Sequence, residues 1–181
     1  MNEELETERL LLRPVCAADL PKVAALMADY AVAKNLSTAP HPYTLKDAEV
    51  FYGWHCEASA RGDAHVFAVL RKSEGALIGK NGLHAKDGVV EMGYWLGKPY
   101  WGQGFATEAA RRVLAFGFED LCLEQIVAGW FGDNAASGHV LSKLGFTATG
   151  TIGRDCLARG HAVRCNMMVL ARDTFQMQQA A

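Results

Sequence analysis

Glu91-Met-Gly-Tyr-Trp-Leu-Gly-Lys-Pro-Tyr-Trp-Gly-Gln-Gly-Phe-Ala-Thr-Glu-Ala-Ala-Arg-Arg112 changes its rhythm twice. Met92, Tyr94 and Leu96 alternate with Glu91, Gly93 and Trp95, the period of a strand. Gly97-Lys98-Pro99 ends it, because proline cannot donate to a ladder and restricts the residue before it. From Ala106 the apolar positions fall at helical spacing: Ala106, Ala109, Ala110, Val113 and Leu114. Glu108 stands four residues before Arg112, an order that supports a helix.

Between strand and helix lies Trp101-Gly102-Gln103-Gly104-Phe105-Ala106. Two glycines let backbone approach a bulky ligand, and a helix start directs unpaired N–H groups at it. The amides from Gly102 to Thr107 are thus a candidate phosphate site, neutral and dipolar. The plainer reading is a glycine-rich turn that only changes direction. Two common phosphate motifs fail on spacing. Thr107 stands where a dinucleotide fingerprint needs glycine or alanine, and Gly75 to Gly79-Lys80 is one residue short of a P-loop, with Asn81 following.

Working outward, the turns and periodicities give an ordered series of elements. Leu10 to Pro14 reads as a strand and Asp19-Leu-Pro21 as the start of a helix carrying Val23, Leu26, Met27 and Tyr30. Thr44-Leu-Lys-Asp47 introduces a second helix to about Ala60. His65 to Arg71, Ala76 to His84 and Val89 to Leu96 form a meander of three strands. After the central helix come a strand at Gln125 to Phe131, parallel to the one before that helix, and a helix that Asn134 caps and Gly145 ends. Two closing strands, Phe146 to Gly153 and Ala162 to Ala171, flank a loop at Arg154 to Gly160, and 172–181 reads as a frayed tail. The expected fold is α/β (α+β): one domain over residues 1–181, with a mixed, mostly antiparallel sheet of about seven strands.

Composition excludes several classes. Half the 181 residues are apolar and the net charge is −2, which argues against a broad nucleic-acid or membrane-surface binder. Cys16, Cys56, Cys122, Cys156 and Cys165 are scattered singly, so no metal cluster and no disulfide framework is expected, and a reducing cytoplasm fits. The acidic start and the lack of a long apolar run predict neither a signal peptide nor a membrane span.

The loop resembles the acyl-CoA signature of the GNAT superfamily of N-acyltransferases, Arg/Gln-x-x-Gly-x-Gly/Ala, with Trp101 in the first position and Gly104 and Ala106 following. Gly-Tyr-Trp-Leu, Tyr-Trp-Gly-Gln-Gly-Phe-Ala-Thr-Glu-Ala, Asn-Ala-Ala-Ser and Lys-Leu-Gly-Phe are similar to the branch that holds the ribosomal-protein N-terminal acetyltransferases. The resemblance runs from about residue 7 to 171 and implies acetyl-CoA as cofactor and a primary amine as acceptor. That amine belongs to a protein N-terminus or a small molecule, and the protein acts as monomer or homodimer. A CoA-binding module without catalysis is the alternative.

The resemblance also implies roles for residues. The sheet opens beside Trp95-Leu96-Gly97, whose backbone would pair with the pantetheine arm, and a free N–H near Leu96 would meet the developing oxyanion. Asn134, otherwise simply a helix cap, would contact the arm. Ser137, inward-facing with Val140, Leu141 and Leu144, would protonate the thiolate. Gly138 departs from the branched residue usual there, which suggests a wider acyl pocket. Glu91 is the first candidate for the base, unless it is only an ion-pair partner; His84, His161, His41 and Tyr94 follow it. An α-amine is roughly a tenth neutral at pH 7 and a lysine roughly once in a few thousand, so an α-amine demands less of any base. The acceptor pocket is expected from Asn35 to Thr44, the helix with Tyr52, Trp54 and His55, and Arg154 to His161.

Overall fold

The structure is a computed structural model that describes residues 4–179. The acidic Met1 to Glu3, and the end of the expected tail at Ala180 and Ala181, lie outside the described residues. Its strands are β1 (Leu5–Glu6), β2 (Leu10–Pro14), β3 (Ala64–Arg71), β4 (Ala76–Lys86), β5 (Val89–Leu96), β6 (Gln125–Phe131), β7 (Thr147–Cys156) and β8 (His161–Ala171). The helices are α1 (Leu20–Met27), α2 (Tyr30–Ala33), α3 (Leu45–Ala60), α4 (Phe105–Ala115), α5 (Ala135–Lys143) and α6 (Arg172–Gln179).

All eight strands form one sheet in the order β1-β2-β3-β4-β5-β6-β8-β7, antiparallel except where β5 meets β6. The seven expected strands are present, and Leu5–Glu6 adds an eighth. Local chemistry sets several boundaries. Thr44 and Asp47 close a reciprocal cap at the start of α3, with the Thr44 N–H donating to Asp47 at 2.8 Å. α4 runs on as one wide turn through Asp120, where the Leu121 N–H donates to the Phe116 carbonyl at 3.1 Å.

Three expectations are corrected. β7 continues through Arg154 to Cys156, so the expected loop shrinks to a single turn at Leu157–Arg159. The tail is a helix to Gln179, because Phe175 anchors it against Phe118, ring centroids 5.1 Å apart. Glu108 turns away from Arg112 to receive Thr7 Oγ1 at 2.6 Å and Arg9 Nε at 2.7 Å.

Two apolar cores lie on opposite faces of the sheet. One packs Leu10, Leu12, Ile78, Ile126 and Leu141 around Val113 and Leu114 of α4. The other joins Val23 and Met27 of α1 and Ala48 and Ala58 of α3 to Val66 and Ala68 of β3. Val113 and Leu114 are fully buried, and truncating a residue such as Leu114 to alanine costs about 2–5 kcal/mol. The α4 core therefore fixes where that helix begins, and its start is where the site lies.

Candidate active site

β5 and β6 share one paired position, Glu91 with Val127, and separate beyond it. The Gly97 N–H donates to the Ile78 carbonyl of β4 at 2.9 Å. Because backbone groups alternate along a strand, the Leu96 N–H and carbonyl point the other way, into the opening. Trp101 Nε1 donates to that carbonyl at 2.7 Å, which ties the glycine loop to the strand and leaves the Leu96 N–H facing the gap.

The helix start meets the gap. Gly102 and Gly104 have φ of +73° and +81°, a left-handed conformation that L side chains rarely adopt. Gly104 is the N-cap of α4 and has no side chain to cap it. The amides of Phe105, Ala106 and Thr107 therefore have neither an intrahelical acceptor nor a capping group, and the helix dipole adds partial positive charge. Arg9 clamps the loop from behind: Nη1 donates to the Gln103 carbonyl at 3.1 Å, and the guanidinium lies 4.5 Å over the Phe105 ring.

A cleft of about 490 Å³ joins helix start and strand gap. Of the sequence-predicted residues it collects Glu91, Trp95, Leu96, Trp101, Gly102, Gly104, Phe105, Ala106, Thr107, Asn134 and Ser137. Gly97 and Gln103 do not line it. A Cβ on Gly97 would fall 2.6 Å from Leu26, so that glycine serves packing, and the Gln103 amide turns back to the Pro99 carbonyl at 2.9 Å. Asn134 is the cap of α5, its Oδ1 accepting the Ser137 N–H at 3.4 Å, and it also faces the cleft.

Ser137 Oγ lies 2.8 Å from Tyr94 Oη, so strand and helix deliver two hydroxyls to one point. Burial pushes the Tyr94 phenol up to about 12, against the opposing effect of the Ser137 hydrogen bond. It stays protonated at neutral pH. Glu91 is held by Arg154 through two contacts, 2.5 Å and 3.2 Å, and both residues line the cleft. His84 pairs across the sheet with Glu91, and burial lowers its pKa. His41 packs on Tyr30, and His161 Nδ1 sits 3.0 Å from the Ala162 carbonyl; none of these three histidines is among the residues lining the cleft. Of the expected acceptor segments, Asn35, Leu36, Ser37 and Arg154 reach the cleft, whereas Tyr52, Trp54 and His55 of α3 do not. Sequence reasoning placed Arg154 in the acceptor pocket without its pairing to Glu91, missed Trp130 as a lining residue and gave Tyr94 only a fallback place.

The arrangement suits a phosphate-bearing thioester: open amides for the diphosphate, an open strand edge for an extended arm, and a protonated hydroxyl pair at its end. Among the described residues no group of three or more His, Cys, Asp or Glu could hold a metal ion, and no helix is long and apolar enough to cross a membrane.

Comparison with known proteins agrees with this geometry. Residues 9–147 match the model of the acetyltransferase (GNAT) domain. The chain is 30% identical over 173 residues to the uncharacterized N-acetyltransferase p20 of Bacillus licheniformis, covering 94% of this chain and 97% of the relative. It is 31% identical over 156 residues to the uncharacterized N-acetyltransferase YoaA of Bacillus subtilis, covering 82% and 85%. Among solved structures it is similar to RimL, a ribosomal L7/L12 alpha-N-protein acetyltransferase in complex with coenzyme A. There the TM-score is 0.82 at 19% identity, over 95% of this chain and 99% of that one. The ribosomal-protein-S5-alanine acetyltransferase of Vibrio fischeri gives a TM-score of 0.81 at 21% identity, over 95% and 98%.

Proposed function

The chain belongs to the GNAT acetyltransferase family, and on that footing we propose that it acetylates the α-amine at the N-terminus of a protein, by direct attack within a ternary complex in the cytoplasm. The observation that carries the choice of an α-amine is the Glu91–Arg154 pair. Glu91 is the carboxylate of the cleft, and Arg154 already occupies both its oxygens. A base so engaged works best on an amine that is partly neutral beforehand. An α-amine with pKa near 8 meets that condition at pH 7, and a lysine does not. The neighbours named for ribosomal-protein acetylation share this fold, which supports the same acceptor class.

Bound acetyl-CoA supplies a thioester carbonyl for the amine to attack. The amides of Phe105, Ala106 and Thr107 hold the diphosphate through the helix start. Leu96 offers its N–H to the carbonyl oxygen from the open edge of β5, a fixed donor that needs no reorganisation. Glu91, steadied by Arg154, receives the amine proton through water. Tyr94 holds a proton at Oη and passes it through Ser137 Oγ to the departing sulfur; a thiolate of pKa roughly 8.5 needs only modest help.

The test compares a peptide beginning with free alanine or serine against the same peptide with a blocked N-terminus and one lysine. Thiol release and mass spectrometry should show acetylation of the free α-amine, faster from pH 6 to 8 as that amine loses its proton. The lysine peptide should react at least about tenfold more slowly at pH 7. Equal rates on the two peptides, or turnover confined to small amines such as polyamines, would refute the proposed acceptor.

A further inference from the structure

Trp130 of β6 lines the cleft beside Tyr94 and Ser137. Its indole lies across Gly138: a Cβ built there would come within 2.9 Å of Cε2 and Cζ2. The glycine that departs from the family's branched residue therefore does not widen the slot, because the indole fills the space. Trp130 Nε1 is buried with no hydrogen-bond partner. Packing alone seats the ring, so replacing it by an apolar side chain breaks no hydrogen bond.

We propose that Trp130, seated on Gly138, is the end wall of the acyl slot and restricts the donor to a two-carbon acyl group. This rests on the reading that the acyl end of the donor lies beside Ser137. The ring packs on the same core, and so lies on the same face of the sheet, as Tyr94. It lines the cleft with the Tyr94–Ser137 pair and rests against the residue that follows Ser137, so an acyl chain extended from that point meets it. One additional methylene against an apolar wall typically changes selectivity about 10–200-fold. A wall made by one movable ring on a glycine also predicts coupling between the two positions. An alanine at 138 pushes the indole into the slot, and removing the indole relieves that pressure.

The experiment measures binding of acetyl-CoA and butyryl-CoA by calorimetry, alongside initial rates with both donors, for wild type, Trp130→Leu, Gly138→Ala and the double variant. Circular dichroism checks that each folds. Wild type should bind butyryl-CoA at least about tenfold more weakly than acetyl-CoA, and Trp130→Leu should bring the ratio close to one, whatever its absolute affinity. Gly138→Ala should weaken acetyl-CoA itself, and adding Trp130→Leu should recover most of the loss. Equal binding of both donors by wild type, or an unchanged ratio in Trp130→Leu, would overturn the inference. If the binding ratios behaved as stated while no amine were acetylated, the inference would stand and the proposed function would fall.

Discussion

Replacing Gly104 by valine should separate folding from cofactor binding. Gly104 sits at φ +81°, and a residue with a Cβ held there costs about 1–3 kcal/mol, more when β-branched. Crowding adds to that cost only as far as Arg9 Nη2, the nearest atom to a new Cβ at 3.3 Å, must shift by a few tenths of an ångström against its pair with Glu108 at 2.6 Å. In a domain of this size each kcal/mol lowers Tm by about 2–4 °C, so a fall of about 2–12 °C is expected. The chain relieves the strain by rotating φ, which turns the first peptide planes of α4. A hydrogen bond to a charged group contributes about 1.5–3 kcal/mol. Two misdirected amides therefore cost about 3–6 kcal/mol, or roughly two to four decades in Kd. Calorimetry with CoA and thermal melting followed by circular dichroism read the two effects. Gly53→Ala, in α3 with nothing within 4 Å of the new Cβ, is a control of opposite sign, stabilising by about 0.5–1 kcal/mol. A Gly104→Val protein that melts lower but keeps its Kd for CoA within about threefold would refute the reasoning.

Tyr94→Phe removes the protonated hydroxyl but keeps the ring. It should lower kcat about 10–100-fold, at the weak end for a general acid because thiolate leaves readily, with circular dichroism unchanged; full activity would exclude Tyr94 as proton donor. Lys80 is buried with Nζ 3.8 Å over the Phe51 ring, and burial pushes its amine down to about 8, with only Asp19 opposing. Between that value and about 10.4 the unfolded chain binds more protons, so stability should rise with pH across this window by at most about 3 kcal/mol. Below pH 8 the full penalty remains, so Lys80→Met should be more stable than wild type at pH 7 and lose the rise; identical urea midpoints at pH 7 and 9.5 for wild type would contradict this.

Where the chain repeats a simple rhythm, sequence and structure coincide. β3 to β5, α3 with its Thr44 cap, and the strand–turn–helix around Gly104 follow from alternation, turn residues and helical spacing. β1 is too short to leave a pattern. β7 escaped in part because Thr147 to Gly153 are exposed on both faces at the sheet edge, so no inward–outward alternation marks where it ends. α6 depends on one anchor, Phe175, because its other large apolar residue, Met177, is exposed. The glycine loop was legible because it is continuous in sequence. The contacts that complete the site were not: Tyr94 meets Ser137 across 43 positions and Arg154 meets Glu91 across 63. Trp130 lay within an apolar strand, and only the fold shows that it needs a glycine opposite.

The most direct test of the whole account is a titration of the ¹⁵N-labelled protein with CoA, followed by ¹H–¹⁵N correlation spectra. If the helix start grips the diphosphate and the open strand edge receives the arm, the amides of Phe105, Ala106, Thr107 and Leu96 should shift furthest and saturate together. Saturating CoA that leaves those four amides in place while moving resonances elsewhere would contradict it.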